Sequence, residues 1–334
     1  DGTTLYRPIP RDRDQVFYAS RGLFPWIASW NFLNRKTKTF KSSLKDPVGQ
    51  SWNTKWFDRY FVNEMTRQDW LNTAKQLQEN LTDEVIESAF QKWPQPIQDI
   101  NAKEFIAKLK NRRDELPQYA ETLYEYQAKA VDVRGTDKRE LFEVERRPKG
   151  ITEVWVYHVN KEREKKSLTY HRIFYRSETR EIRLYGLGED DEFFIKGQAD
   201  KGSVIRIIGG EGMDIVTDES KVSGLRKKTR VYDRPGGMVI ESSGETKNLI
   251  SERVGVNEYD RSQFVHNHFL PLPAFGANVD DGFFVGMGFT FWQYRFRKQP
   301  FANRQTIRFN RATKSNAFNL GYDAEFIDLF GRVD

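Results

Sequence analysis

The feature that most constrains the fold is a strand-like segment that recurs along the middle of the chain. Its copies are EIRLYG (181–186), VIRIIG (204–209) and KTRVYD (228–233), aligned on Arg183, Arg206 and Arg230. These arginines lie 23 and 24 residues apart, a period typical of stacked structural units that bury a continuous core. The repeat predicts a β-rich repeat domain over 132–255. A small parallel β-solenoid is favoured, and an antiparallel sandwich of similar strands is the alternative.

Apolar residues alternate near the C-terminal end of the sequence, which is the pattern of β-strands. In GFFVGMGFTFWQYRFR (282–297), large apolar side chains occupy one parity, and glycine and threonine occupy the other. From Trp292 the aromatic residues switch parity, which indicates an aromatic girdle or a bulge. QTIRFNR (305–311) and AFNLGYDAEF (317–326) repeat the alternation. Transmembrane β-strands need only about 9–11 residues of this kind, although a soluble sheet with one wet face gives the same pattern.

We predict that 282–334 holds the first strands of an antiparallel transmembrane β-barrel. Three strands are too few to close a barrel, because about eight are the minimum. The sequence also begins at Asp1, with no initiating methionine and no signal peptide. The expectation is therefore a fragment, cut at both ends, of a longer outer-membrane protein.

Helical signals are concentrated between residues 66 and 131. Thr66 with Asp69 matches a capping box, Thr82 can cap a second helix, and Asn101 can cap a third. Apolar residues follow these caps at helical spacing. The sequence predicts a small helical bundle over 66–131.

The remaining segments are less regular. Residues 1–65 are rich in aromatic side chains and are predicted to form strands and loops, and 256–281 is predicted to be a proline-rich connector. Together these segments give an α+β chain of several domains. The order is irregular N-terminal region, helical bundle, repeat domain, connector and first barrel strands.

The composition excludes some classes of function. The formal net charge is +6, but the basic residues are spread along the chain, so no nucleic-acid partner is predicted. Cysteine is absent, which excludes thiol chemistry and disulfide bonds. The mean hydropathy is −0.75, and no apolar segment reaches the length of a membrane-spanning helix.

Two pairs of aspartates are candidate metal ligands. Asp12 and Asp14 lie two residues apart in PIPRDRDQ, so on a strand they would share a face that can hold Mg²⁺. Ion pairing with neighbouring arginines is the alternative. Asp191 in YGLGEDDEF and Asp214 in GGEGMDIV fall in glycine-rich segments that fit a calcium-binding nonapeptide, the first partly and the second in full. The alternative there is a tight turn in which the aspartate caps the backbone.

The sequence contains no P-loop, no G-x-S-x-G and no H-E-x-x-H motif. No catalytic residue is therefore assigned. Mg²⁺ and Ca²⁺ are the candidate cofactors, and both depend on the aspartates named above.

Several segments, in this order, resemble one family of very long envelope proteins from Bacteroidetes-type bacteria. The segments are YRPIPRDRDQVFY, FDRYFVNEMTRQDWL, VDVRGTDKRELFEVER, EIRLYGLGEDDEF and NVDDGFFVGMG. The resemblance covers nearly the whole chain. In that family a metallophosphoesterase domain can precede this region, and a β-barrel of the surface-antigen or insertase type closes the chain.

The resemblance implies that residues 1–65 are the C-terminal part of a kinase-like module, with Asp12 and Asp14 on its metal-binding strand. The catalytic loop of such a module and the phosphoesterase motifs are absent from this sequence. The expected function is a non-catalytic segment of an outer-membrane protein, whose soluble part is periplasmic. It would serve envelope biogenesis or anchor an upstream phosphoesterase.

The expected partners are outer-membrane lipid, the barrel-assembly machinery and the upstream enzyme domain in the same chain. Two alternatives stay open. In the first, residues 1–65 end a Mg²⁺-dependent enzyme that is kinase-like or linked to a phosphoesterase. In the second, the chain is a soluble calcium-binding β-solenoid, and 282–334 is an ordinary sheet.

Overall fold

The computed structural model describes residues 16–19, 22–36, 38–242 and 244–327. It confirms the α+β class, because helices occur with both parallel and antiparallel sheets. The helices are α1 (Leu23–Ala28), α2 (Pro47–Gln50), α3 (Lys55–Phe61), α4 (Arg67–Asn80), α5 (Asp83–Phe90), α6 (Gln95–Ile97), α7 (Lys103–Asp114) and α8 (Leu116–Gln127). A π-helical turn at Gln98–Ala102 joins α6 to α7, and a 3₁₀ turn occupies Pro148–Gly150.

Within the described residues the strands form three sheets. The first contains, in spatial order, β1 (Ala130–Arg134), β5 (Glu181–Leu187), β7 (Val204–Gly210), β10 (Thr229–Tyr232) and β12 (Thr246–Asn248). The second contains β11 (Met238–Ser242), β8 (Asp214–Asp218), β6 (Glu192–Ala199), β2 (Glu140–Arg147), β3 (Ile151–Val159) and β4 (Lys165–Tyr175), and the short β9 (Lys221–Val222) pairs with β6. The third contains β13 (His268–Asn278), β14 (Gly282–Arg295), β15 (Lys298–Ala312) and β16 (Phe318–Phe326).

The chain divides into two compact units. Among the described residues, the first unit contains those up to Asn53, Ile86–Arg113 and those from Val265 onward, and it includes the four-stranded sheet. The second unit contains Thr54–Val85 and Asp114–Phe264, and it includes the other two sheets. The five domain segments proposed from the sequence stay a prediction.

Strands β1, β2 and β5–β12 of the second unit form two facing parallel arrays, here termed the stack. The chain alternates between the two sheets, and one strand from each sheet makes one rung. Arg183 lies opposite Arg206, and Arg206 lies opposite Arg230. The parallel alignment that the repeat predicted for these three strands is therefore confirmed.

The core of the stack lies between its two sheets. Ile182 and Ile205 from the first sheet are fully buried in it. From the second sheet, Phe142 and Phe193 stack with ring centroids 4.6 Å apart. Since side chains alternate between the two faces of a strand, the arginines of the repeat point away from this core.

A β-hairpin, β3–β4, separates the first rung from the second. β3 pairs with β2 in antiparallel orientation, so the hairpin extends the second sheet. Asp132 of β1 lies opposite Arg183, 51 residues further along the chain. β1 is therefore a further copy of the repeated strand, separated from the others by the inserted hairpin.

The predicted C-terminal strands are present as an antiparallel meander in the first unit. The segments at 282–297, 305–311 and 317–326 correspond to β14, part of β15, and β16. The register of β14 on β15 shifts between Gln293 and Arg295, which places a bulge just after the change of parity at Trp292.

Within the segment 256–281, which was predicted to be a connector, His268–Asn278 forms strand β13. Pro271 and Pro273 argued against a strand, because proline cannot donate a backbone hydrogen bond. β13 is the edge strand of its sheet, and there a proline can direct its missing donor away from the neighbouring strand.

The helical signals are mostly confirmed. Thr66 and Asp69 form the reciprocal capping box of α4, and Thr82 Oγ1 accepts a hydrogen bond from the backbone N–H of Val85 at 3.3 Å. Asn101 begins no helix, because it lies inside the π-helical turn. The described residues of 1–65 form α1, α2, α3 and irregular segments, so the strands predicted there are wrong and the predicted loops are present.

Candidate functional site

One face of the four-stranded sheet is apolar and exposed, and it is here termed the apolar face. Cross-strand pairs on this face include Phe275 with Val285, Phe289 with Ile307, and Phe309 with Leu320. Phe275 is 76% exposed and Leu320 is 71% exposed. Soluble proteins rarely leave contiguous apolar surface of this kind uncovered, so the face is a candidate interaction surface.

The opposite face of the same sheet is mainly polar, although it also includes Leu272 and Phe284. Thr290 and Thr306 lie opposite each other with their hydroxyl oxygens 3.1 Å apart. Arg304 pairs with Glu325 at 2.8 Å on the neighbouring strands. These charged side chains are about half exposed, so this face suits contact with water.

The sheet is a single layer in which most side chains on both faces are accessible. The buried apolar cluster around Phe90 and Ala102 in the same unit is built from helices α5 and α7, the π-helical turn and Phe17. In the described residues β13 and β16 each pair with one strand, so each leaves one edge open. Such a sheet can bind lipid on its apolar face and further strands along its edges.

The structure describes two of the four predicted metal ligands. Asp12 and Asp14 lie outside the described residues. Asp191 and Asp214 lie in the stack, each at the beginning of the rung strand in the second sheet. Glu140 occupies the corresponding place in the first rung.

These carboxyl groups form a buried line, here termed the carboxyl column, whose members are Glu140, Asp191, Asp214 and Asp233. All four residues are at most 1% exposed. The backbone N–H of Glu140 donates to Asp191 Oδ1 at 2.8 Å, and the N–H of Asp191 donates to Asp214 Oδ1 at 2.8 Å. Each of these two aspartates therefore caps the backbone of the rung before it.

The second carboxyl oxygens of the three aspartates in the column lie in tightly packed surroundings. Oδ2 of Asp191, Asp214 and Asp233 are buried and receive no hydrogen bond from the described residues. A Cβ atom added to Gly209 would lie 2.2 Å from Asp214 Oδ2 and 2.4 Å from Asp233 Oδ2, so both oxygens border the same space.

Burial therefore raises the pKa of these groups. Burial, with the neighbouring Asp214 and Glu140 as smaller causes, raises the pKa of Asp191 to about 9. Burial and the nearby Asp233 raise the pKa of Asp214 to about 7. Burial also raises the pKa of Asp233. A protonated carboxyl can donate its own hydrogen bond, which relieves the cost of burying an unpaired oxygen.

This geometry shows backbone capping by Asp191 and Asp214, and calcium binding at these residues stays a prediction. A calcium ion needs six to eight oxygen ligands. The carboxyl column offers three buried oxygens that have no hydrogen-bond partner among the described residues. In the part of the chain that the structure describes, no group of three or more His, Cys, Asp or Glu side chains is arranged to hold a metal ion.

Sequence reasoning missed Glu140 and Asp233 as members of the column. The available signal was the spacing between a glycine that ends one strand and the acidic residue that begins the next. Gly135 precedes Glu140 by five residues, as Gly186 precedes Asp191 and Gly209 precedes Asp214. At Asp233 the order is exchanged: the aspartate occupies the place of the glycine, and Met238 follows it by five residues.

Among the described residues, no helix is long and apolar enough to cross a membrane. Comparisons of this chain with protein-family models, with curated proteins and with solved structures found no match.

Proposed function

We propose that this chain is a non-catalytic segment of an outer-membrane protein. In this proposal the four-stranded sheet is part of a transmembrane β-barrel, and the stack is a β-solenoid on the periplasmic side. The role is structural, in envelope biogenesis or in anchoring an upstream phosphoesterase. Lipid of the outer membrane covers the apolar face, and the barrel-assembly machinery inserts the strands.

The observation that carries the proposal is the distribution of polarity across the single-layered sheet. Phe283, Leu320 and Phe275 project from one face into the surroundings, while Arg308 and Asp323 pair on the other. A soluble sheet buries its apolar face, whereas a membrane barrel directs that face to lipid and its polar face to the lumen.

Strand length supports the same function. β13, β14, β15 and β16 contain 11, 14, 15 and 9 residues. A tilted strand crosses the hydrocarbon core with about 9–11 residues, so all four are long enough. Arg311 shares the parity of the apolar face but lies one residue from the end of β15, where a long side chain can reach the headgroups.

Four strands are fewer than the about eight that the smallest barrels use. The sheet would therefore be completed by strands beyond those described, which would pair with the open edges of β13 and β16. This requirement agrees with the open edges and with the absence of an apolar layer over the sheet among the described residues.

The test uses the absence of cysteine, which allows one fluorophore to be placed at a chosen residue. Leu320 and Asn319 are adjacent and exposed on β16, but they belong to opposite faces. The variants Leu320→Cys and Asn319→Cys are labelled with an environment-sensitive dye in the full chain and reconstituted with phospholipid vesicles. The expected result is blue-shifted emission and quenching by a lipid-soluble quencher at position 320, with neither at 319.

The matched pair makes the result decisive. Equal responses at the two positions would indicate unspecific adsorption, and an aqueous spectrum at position 320 would exclude contact with lipid. Either outcome contradicts the proposed function. A second pair, Val285→Cys and Thr306→Cys, repeats the comparison on the two central strands of the sheet.

A further inference from the structure

A line of charged side chains, four of them basic, runs along the outer face of the first sheet, and it is here termed the basic column. Its members lie opposite one another in parallel register: Asp132, Arg183, Arg206, Arg230 and Lys247. The line begins with one acidic residue and continues with four basic residues. Neighbouring strands in a sheet are about 4.8 Å apart, so each basic group lies within reach of the next.

The charges of Arg183 and Arg206, in the first half of the basic column, are balanced by carboxylates of the same chain. Glu181 Oε1 binds Arg183 Nε at 2.6 Å, and Glu181 Oε2 binds Arg206 Nη2 at 2.9 Å. One carboxylate therefore bridges the guanidinium groups of two adjacent rungs. Although burial alone would raise it, the two arginines lower the pKa of Glu181 to about 2.

In the part of the chain that the structure describes, no carboxylate bridges the next step of the column, from Arg206 to Arg230. Val204 lies opposite Glu181 in the register, so valine occupies the bridging position between Arg206 and Arg230. Arg230 is half-buried, its Nε atom is fully buried, and its side chain makes no hydrogen bond and no ion pair with the described residues. A buried guanidinium N–H group without a partner is costly, and an anion bound beside it would relieve that cost.

The surroundings of Arg230 are positive. Lys228 precedes Arg230 by two residues and lies immediately before β10, and the exposed Lys247 lies opposite Arg230 on β12. Glu245 precedes Lys247 by two residues. Its carboxylate accepts hydrogen bonds from the backbone N–H groups of Lys228 and Val222, and it makes no ion pair with Arg230. Tyr232 lies beside the column and binds Arg206.

We propose that the step between Arg206 and Arg230 binds the oxyanion of a small ligand, a carboxylate or a phosphate. The oxyanion takes the place that the Glu181 carboxylate takes one rung earlier, with Lys228 and Lys247 beside it. Arginine is suited to this task because its planar group binds two oxygens at once.

The experiment measures binding of inorganic phosphate and of glutarate to the full chain by calorimetry, at constant ionic strength in chloride. The expected result is saturable binding of at least one probe, weakened about tenfold or more in Arg230→Gln, because that variant loses charge-assisted hydrogen bonds. The stronger probe identifies the class of oxyanion. Binding of neither probe by the unmodified chain would overturn the proposal.

Two substitutions at Val204 test the location directly. Val204→Glu supplies an internal carboxylate, so we expect it to raise the melting temperature without ligand and to abolish probe binding. Val204→Gln, which adds a similar volume without charge, should not raise the melting temperature. The control for unspecific charge effects is Lys221→Gln on the other sheet. If Val204→Glu binds the probe as tightly as the unmodified chain, the site is not at this step.

Discussion

Asp191 and Asp214 make the stability of the stack depend on pH in an unusual direction. Their folded-state pKa values, about 9 and about 7, lie above the ordinary value of a carboxyl group. The stability that these two groups contribute to the folded chain is therefore fully present below about pH 4, and it is lost as the pH rises through 7 and 9. We expect the free energy of unfolding to fall between pH 5 and pH 9, and denaturant titrations at several pH values will measure it.

Asparagine variants separate this effect from other titrations. Asp191→Asn and Asp214→Asn keep the acceptor oxygen and add a donor. Each should therefore reduce the fall in the free energy of unfolding between pH 5 and pH 9 by more than about 1 kcal/mol, the value of one pKa unit. The control Asp137→Asn changes an exposed carboxyl of the same loop region. An unchanged slope in both asparagine variants, or a melting temperature of the unmodified chain that rises with calcium, would contradict the raised pKa values of Asp191 and Asp214.

At the scale of single residues, the sequence singled out two of the four members of the carboxyl column but did not predict their burial. Asp191 and Asp214 were found because they follow glycines in turn-like segments. Whether such residues bind calcium or cap a backbone depends on burial and on the neighbours across the rungs. That information lies in the packing of Gly135, Gly186 and Gly209 against the carboxyl groups, and no local pattern contains it.

The glycines that end the rung strands should tolerate no side chain. A Cβ atom at Gly186 would lie 2.2 Å from Asp191 Oδ2 and 2.4 Å from the carbonyl oxygen of Gly209. We expect Gly186→Ala to lower the free energy of unfolding by about 1–3 kcal/mol, the usual cost of overpacking. Gly188→Ala is the control, because its nearest atom would be 3.5 Å away. Equal effects of the two changes on chemical denaturation would contradict this packing.

Among the elements, those with a strong local period were predicted and those with an interrupted period were missed. The repeat at β5, β7 and β10 identified adjacent parallel strands. β1 was not recognised as a copy of the repeated strand, because the inserted β3–β4 hairpin separates it from β5 by 51 residues instead of 23 or 24. β13 escaped because its prolines are acceptable only at a sheet edge, and edge position is a property of the whole sheet.

Across the whole molecule, the two units should respond differently to detergent. The apolar face and open edges belong to the four-stranded sheet, whereas the stack has its own buried core. Hydrogen–deuterium exchange of the full chain in buffer and in detergent micelles will measure this. We expect slower exchange over β13–β16 in micelles and unchanged exchange over β5–β10. Equal changes in both regions would contradict a lipid-facing sheet.

The regular rungs of the stack also have an evolutionary consequence. Each repeat of 23 or 24 residues adds one layer with the same cross-section, because equivalent residues stay opposite one another. Duplication or loss of one repeat in the gene would therefore lengthen or shorten the stack by about 4.8 Å without rebuilding its core. The stack is in this sense an adjustable spacer, whose length can evolve independently of the sequences that flank it.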